Sequence, residues 1–158
     1  MKKVLIAYFS YSGNTRAVAD SIREKAAGDI FEIKPVKSYP AEYTAVVQEA
    51  KKELNDGYRP DLAAGVQDMG AYDIVFIGYP NWWSTMPMGV FSFLEAYDFS
   101  GKTIIPFCTH GGGGLGRSER DIKKLCPRAT VLRGLAIRGS VADRAQNDVS
   151  AFLQALGV

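Results

Sequence analysis

A run of hydroxyl-bearing side chains follows the first apolar segment of the chain and leads directly into an amphipathic segment. This hydroxyl loop consists of Ser10, Tyr11, Ser12, Gly13, Asn14 and Thr15. Backbone N–H groups at the start of a helix have no intrahelical acceptor, and with the helix dipole they favour an anion. Thr15 falls in the first helical turn, where its hydroxyl can supplement those amides. The loop predicts a phosphate site, with a simple helix cap by Ser12 or Asn14 as the alternative.

The residues that other phosphate-handling loops need are missing from this segment. Neither Gly-x-Gly-x-x-Gly, as in dinucleotide sites, nor Gly-Lys-Ser/Thr, as in P-loops, follows the first apolar segment. The loop contains no cysteine to act as a phosphatase nucleophile. The apolar segment that ends at Tyr79 provides no aspartate to accept a phosphoryl group. The sequence therefore indicates phosphate binding without phosphoryl transfer.

Both tryptophans of the chain are adjacent and follow another apolar segment. This aromatic loop (residues 80–87) begins with Pro80, Asn81, Trp82, Trp83 and Ser84. Large aromatic faces at the end of a strand can cover a planar ligand. Because adjacent side chains diverge, we expect one indole to stack on a ring and the other to pack against protein. The alternative is that both fill the core or support a partner interface.

A glycine loop (residues 109–116) follows the fourth apolar segment. It begins with Thr109, His110, Gly111, Gly112, Gly113 and Gly114. Such glycines let the backbone approach the edge of a flat ring closely, and a flexible surface loop is the alternative. His110, the single histidine, could donate to a ligand carbonyl or carry a proton near neutral pH. No acidic or cysteine partner stands near it in the sequence, so we assign no catalytic residue, and no residue cluster indicates a metal site.

Apolar segments alternate with amphipathic ones along the whole chain. Strands are predicted at residues 4–9, 30–33, 74–79, 103–108 and 130–135. Helices are predicted from Asn14, at residues 43–54, after Pro87, and at residues 117–125 and 141–156. This order predicts one doubly wound α/β domain over residues 1–158, with a parallel sheet. Pro106 removes a backbone donor from a central strand, so we expect a bulge or a shorter strand there.

Composition and charge narrow the class of protein. The chain has 158 residues, 47% of them hydrophobic, and a net charge of +2. This balance excludes intrinsic disorder and disfavours a nucleic-acid binder, which needs a strong basic excess. Cys108 and Cys126 are too few for a disulfide framework or a zinc site. The N-terminal apolar run is too short for a signal peptide and no run could span a membrane, so we expect a cytoplasmic protein with no membrane partner.

Taken together, the three loops resemble the flavodoxin family over essentially the whole chain. The resemblance rests on Ser10-x-Ser12-Gly13-Asn14-Thr15, on Pro80-Asn81-Trp82-Trp83, and on the glycine loop. It implies a five-stranded parallel sheet in the order 2-1-3-4-5 and non-covalent binding of FMN. By that resemblance Ser10, Ser12, Asn14 and Thr15, with the intervening amides, hold the phosphate. Trp82 or Trp83 flanks the isoalloxazine, and residues 109–114 line its pyrimidine side. The last strand carries no long insertion, as in the short-chain members.

The implied function is electron transfer between a reductase and an acceptor, so we expect a redox protein or NAD(P)H as partner and a monomer or weak dimer. Two features depart from the family's low-potential carriers, which are usually acidic. The isoelectric point is about 8.5, and the Trp82-Trp83 pair with the following Ser-Thr-Met-Pro is closer to NAD(P)H-linked flavin and quinone reductases. An NAD(P)H-dependent FMN or quinone oxidoreductase is therefore the first alternative. A flavin-free interaction module is the second.

Two further expectations concern tuning and charge. In many flavodoxins a glycine in the aromatic loop permits a peptide flip that stabilises the one-electron-reduced flavin. Here Asn81 is the residue best able to adopt a positive φ, so we expect a flip centred there or weak stabilisation of that state.

Residues 117–138 contain seven Lys/Arg and two Asp/Glu. This basic stretch could serve a nucleotide phosphate or an acidic protein partner, or form only a solvated helix and edge strand.

Overall fold

The computed structural model describes residues 2–158, in which strands and helices alternate. The strands are β1 (Val4–Tyr8), β2 (Asp29–Glu32), β3 (Ile74–Pro80), β4 (Thr103–His110), β5 (Thr130–Val131) and β6 (Leu135–Arg138). The helices are α1 (Asn14–Ala26), α2 (Tyr43–Asp56), α3 (Met88–Glu95), α4 (Ser118–Leu125) and α5 (Gln146–Leu156). Short 3₁₀ turns occur at Met69–Ala71 and Gly139–Arg144.

All strands pair in parallel, in the order β2-β1-β3-β4-β5, with β6 also paired to β4. This confirms the predicted doubly wound α/β fold and its strand order. Because the strands are parallel, the carboxyl ends of β1, β3 and β4 meet at one edge of the sheet. The hydroxyl, aromatic and glycine loops follow those three ends, so the topology alone brings them together.

Alternating side chains of each central strand pack into two layers of core. In β1, Leu5 and Ala7 pack with α3 and α4 on one face, whereas Ile6 and Tyr8 pack with α1 and α5 on the other. Burial on both faces explains why β1, β3 and β4 are nearly continuous in apolar residues. No helix within residues 2–158 has the length and hydropathy that a bilayer crossing requires.

The sheet departs from prediction beside Pro106. β4 is neither bulged nor shortened there, because Pro106 pairs in register with Ile77 of β3. The interruption lies instead in the neighbouring edge, where the predicted strand at 130–135 divides into β5 and β6. Leu132 N–H donates to Ile104 O (2.9 Å), so the nitrogen of Pro106, two residues on, faces the gap between these two short strands. The missing donor therefore costs the sheet no central hydrogen bond.

The C-terminal helix also begins later than predicted. Residues 139–144 form a 3₁₀ turn, and α5 starts at Gln146 rather than at Val141. This turn places Gly139 and Ser140 directly after β6, next to the hydroxyl loop. If Gly139 carried a Cβ, that atom would lie 2.7 Å from Asn14 Nδ2. The end of β6 is therefore packed closely against the start of α1.

Candidate functional site

A cleft of about 680 Å³ opens at the edge where the three loops meet. This volume lies within the range of about 300–1,000 Å³ that is usual for cofactor and ligand sites. Its walls come from all three loops, from α2 and from the segment after β6. The lining residues are Tyr11, Ser12, Asn14, Tyr43, Val46, Val47, Ala50, Pro80, Asn81, Trp82, Trp83, Thr109, His110, Gly111, Arg138, Gly139 and Ser140.

The hydroxyl loop presents backbone donors to this cleft. Gly13, with φ of 96°, is the N-cap of α1 and makes no side-chain cap, so neither Ser12 nor Asn14 caps the helix. Instead Ser10 Oγ accepts the N–H groups of Gly13 (3.1 Å) and Arg16 (3.3 Å). Within residues 2–158, the N–H groups of Ser12, Asn14 and Thr15 donate to no protein acceptor. The loop therefore directs partnerless donors and the positive end of the α1 dipole to one place.

A pair of buried hydroxyls joins the hydroxyl loop to the glycine loop. Thr15 Oγ1 lies 2.7 Å from Thr109 Oγ1, and the two residues are only 1% and 3% exposed. Each hydroxyl carries a single hydrogen. One of them is used within the pair, and the other remains available to donate to a ligand oxygen.

The aromatic loop contains a tight two-residue turn at Trp83 and Ser84. Trp82 and Thr85 exchange backbone hydrogen bonds (2.9 and 3.3 Å) across a two-residue turn formed by Trp83 and Ser84. These two residues have φ of 56° and 69°, the left-handed pair of a type I′ turn, which usually selects Asn and Gly. Asn81, where we expect a flip or weak stabilisation of the one-electron-reduced flavin, is not itself at positive φ in this structure. Its side chain fixes the turn, accepting Ser84 N–H (2.9 Å) and donating to Gly114 O (2.8 Å).

The end of the glycine loop packs directly against this strained turn. Gly116 has φ of 56° and lies so close to the turn that a Cβ there would be 2.3 Å from Ser84 O. The next residue, Arg117, donates its N–H to the same oxygen (2.8 Å). Only glycine satisfies both the left-handed conformation and the close approach. The glycine loop is thus a structural support for the aromatic loop as well as a wall of the cleft.

The two indoles are held by different contacts. Trp82 meets the rings of Phe9, Tyr11 and Tyr39 edge-on, at centroid distances of 5.3, 5.8 and 5.1 Å. Trp83 is 41% exposed and donates its indole N–H to Val47 O of α2 (3.0 Å). Edge-to-face aromatic pairs each add roughly 0.5–1.5 kcal/mol beyond burial. Trp82 is therefore the more firmly oriented of the two.

His110 is neutral near pH 7 and protonated at Nε2. Its Nδ1 accepts the N–H of Gly112 (3.0 Å), which leaves the proton of the neutral ring on Nε2. Burial, and then the positive charge of Arg138, hold the pKa of His110 below its ordinary value. The Arg138 guanidinium lies 3.4 Å from Gly111 O. The residues that line the cleft include no carboxylate, and Arg138 is the charged side chain among them.

The structure divides the predicted residues into two groups. Ten of them line the cleft, whereas Ser10, Gly13, Thr15, Ser84, Gly112, Gly113 and Gly114 belong to the same three loops but are not among its lining residues. Sequence reasoning missed the α2 residues Tyr43, Val46, Val47 and Ala50, and the group after β6, Arg138, Gly139 and Ser140. The α2 face was recognisable as amphipathic. No sequence signal indicated that this face borders the cleft, because Tyr43, which is 78% exposed in the structure, belongs to the same periodic apolar stripe as its buried neighbours.

Burial disfavours the thiolate form of both cysteines. Both are free and buried, and burial raises the pKa of the Cys108 thiol to about 12. The Cys108 thiol lies near Gly114 O (3.7 Å), so it helps to hold the glycine loop. Residues 2–158 contain no group of three His, Cys, Asp or Glu side chains arranged to hold a metal ion.

Comparison with known proteins identifies the family. The sequence model described as flavodoxin matches residues 3–154. The chain belongs to the flavodoxin family. The crystal structure of a provisionally assigned flavoprotein from Bacteroides eggerthii has a similar fold, with a TM-score of 0.88 and 31% sequence identity. The alignment covers 100% of this chain and 99% of the Bacteroides chain. A flavoprotein from Lactobacillus acidophilus, solved in complex with FMN, is 22% identical with a TM-score of 0.74, over 95% of this chain and 99% of its own, and shows the fold alone.

One curated relative carries an enzyme name. An NAD(P)H dehydrogenase (quinone) from Cupriavidus metallidurans is 31% identical over 97 residues, which are 60% of this flavodoxin-family chain and 46% of the relative. The match thus spans less than half the length of that enzyme.

Proposed function

We propose that the protein binds FMN in the cleft and passes electrons between a reductase and an acceptor. The observation that carries this proposal is the convergence of partnerless amides and a free hydroxyl hydrogen beside two indoles, in a cleft without carboxylates. A phosphate dianion fits the first set of groups and a planar ring fits the second. The residues present are therefore chemically suited to FMN.

Each group has a definite task in this proposal. The bound flavin would supply the hydride and single-electron chemistry. The amides of Ser12, Asn14 and Thr15 would hold the phosphate, and the Thr15–Thr109 pair would donate its remaining hydrogen to it. Trp82 and Trp83 would exclude water from the ring. His110 would donate a hydrogen bond from its Nε2–H to a polar atom of the ring and, as a neutral group, would add no charge.

The visible spectrum of the purified protein tests the proposal. A yellow protein that is reduced anaerobically by an added reductase, and not by NAD(P)H alone, supports an electron carrier. A colourless protein whose melting temperature does not respond to FMN contradicts flavin binding, and indicates the flavin-free interaction module instead.

A second candidate is an NAD(P)H-dependent FMN or quinone oxidoreductase. Two observations favour it: the name of the Cupriavidus relative, and the presence of Arg138 on the cleft with no carboxylate beside it. Arg138 could hold a nucleotide phosphate next to the ring. Steady oxidation of NADPH or NADH by the FMN-loaded protein, with a quinone and without a reductase, distinguishes the enzyme from the carrier.

A further inference from the structure

The basic stretch at residues 117–138 turns both of its acidic side chains toward its own fold. Glu119 Oε2 accepts the N–H of Gly134 (2.7 Å). Asp121 Oδ2 accepts the Thr85 hydroxyl and lies 3.6 Å from Nε of Arg117. Within residues 2–158 these carboxylates are therefore held by internal partners and form no salt bridge with Arg120, Lys123, Lys124 or Arg133.

Six cations of this stretch are exposed, and one of them, Arg138, lines the cleft. Four others form what we call the cation face: Arg120, Lys123, Lys124 and Arg133. Arg120 and Lys124 are one helical turn apart on α4, with Lys123 beside them, while Ile122 on the other side is buried. Within residues 2–158 none of the four lies in a salt bridge. Arg128 is left out, because it faces Asp98 and helps to lower the pKa of that carboxyl.

The cation face adjoins the cleft. The start of α4 contacts the aromatic loop in two places. Arg117 N–H donates to Ser84 O (2.8 Å), and the Thr85 hydroxyl donates to Asp121 Oδ2. An eight-residue helix is only about 12 Å long. A macromolecule bound along α4 therefore lies beside the exposed Trp83 and the mouth of the cleft.

We propose that the cation face is the docking surface for an acidic redox protein that exchanges electrons with the group bound in the cleft. This inference rests on the proposed flavin function. Charge complementarity selects the partner: a carboxylate-rich surface satisfies four unpaired cations and is steered to them at low salt. Each transfer would oxidise the partner's one-electron redox centre by one electron and reduce the bound flavin by one, with any proton taken from water.

Docking can be tested without flavin, using an acidic plant-type [2Fe–2S] ferredoxin as the probe. We expect the flavin-free protein to bind it at about 20 mM NaCl and at least tenfold more weakly at about 300 mM, where screening is short-ranged. Arg120→Glu/Lys123→Glu/Lys124→Glu should abolish binding. The control, Arg23→Glu/Lys25→Glu/Lys34→Glu, makes the same charge change on α1 and after β2, away from α4, and should retain most of the binding.

Electron transfer is then measured on FMN-loaded protein by stopped-flow mixing with reduced ferredoxin. The rate should fall at least tenfold in the α4 triple variant and less than threefold in the control, roughly as steering predicts. An equal loss of electron-transfer rate in both variants, or docking that does not depend on salt, would overturn the proposal. Tighter binding of single-stranded DNA than of ferredoxin would also overturn it. Docking without FMN uptake would instead overturn the flavin function alone.

Discussion

On one side of the cleft the groups facing a ligand are backbone amides and two buried hydroxyls, whereas on the other they are indoles on a turn with two residues at positive φ. The first side is held by its own helix and by Ser10. The second depends on contacts from distant segments, among them Gly116, Asn81 and α2. Apart from Thr109, the proposed phosphate side is therefore encoded within a few consecutive residues, while the aromatic wall requires support from several distant segments.

The largest effect is expected from breaking the support of the aromatic side at Gly116. In Gly116→Ala the new Cβ meets Ser84 O, and the residue must also keep a left-handed conformation. Overpacking and backbone strain together should lower the free energy of unfolding by about 3 kcal/mol. Denaturant unfolding of the flavin-free protein measures this loss.

Gly114→Ala is the matched control in the same loop. Gly114 has φ of 64°, but a Cβ there would meet nothing within 4 Å. This variant isolates the conformational cost, which should be about 1 kcal/mol. Equal destabilisation by the two substitutions would show that Gly116 does not support the turn.

The two indoles provide the next test, since their contacts differ. Trp82→Leu removes three edge-on aromatic contacts and should cost about 2 kcal/mol of stability. Trp83→Leu removes one hydrogen bond to Val47 O from a half-exposed side chain and should cost about 1 kcal/mol. Thermal unfolding of both variants gives the comparison, and a larger loss at Trp83 would reverse our view of which ring is anchored.

The phosphate side should respond in affinity rather than in stability. Thr15→Val keeps the shape of the side chain but removes one hydroxyl of the buried pair. We expect FMN to bind about tenfold more weakly, with little change for riboflavin, which lacks the phosphate. Isothermal titration with both flavins checks this, with Ser21→Ala, a buried hydroxyl elsewhere on α1, as control. Equal losses for FMN and riboflavin would place Thr15 away from the phosphate.

The smallest effect concerns His110, the single histidine, which gives one resolvable NMR titration. Because burial and Arg138 lower its pKa, neutral His110 stabilises the fold above about pH 6.5, and this contribution is lost as pH falls through the folded-state pKa. Arg138→Gln should raise that pKa toward 6.5 without reaching it, since burial remains. Arg144→Gln, the same substitution on the 3₁₀ turn, should leave it unchanged. A pKa insensitive to Arg138 would contradict the assigned cause.

Much of the fold and one side of the site were predictable from sequence. The alternation of strands and helices and the three loops follow from hydrophobic runs and from glycine, hydroxyl and indole positions that act locally, whereas the strand order was implied only by the resemblance to flavodoxins. The division of the last strand was not predictable, because it depends on which side of β4 the nitrogen of Pro106 faces. The positive φ of Trp83 and Ser84 was missed for a similar reason: their own propensities oppose it, and the stabilising contacts come from Asn81 and Gly116.

Comparing FMN with riboflavin in a thermal melt tests the central claim most directly, because the two flavins differ only in the phosphate that the hydroxyl loop is proposed to hold. At about 100 times its Kd, FMN should stabilise the protein by about 2.7 kcal/mol, which raises Tm by roughly 5–11 °C for a chain of this size. Riboflavin at the same concentration should raise it far less. Equal shifts with both flavins, or none with either, would contradict a phosphate-anchored flavin in this cleft.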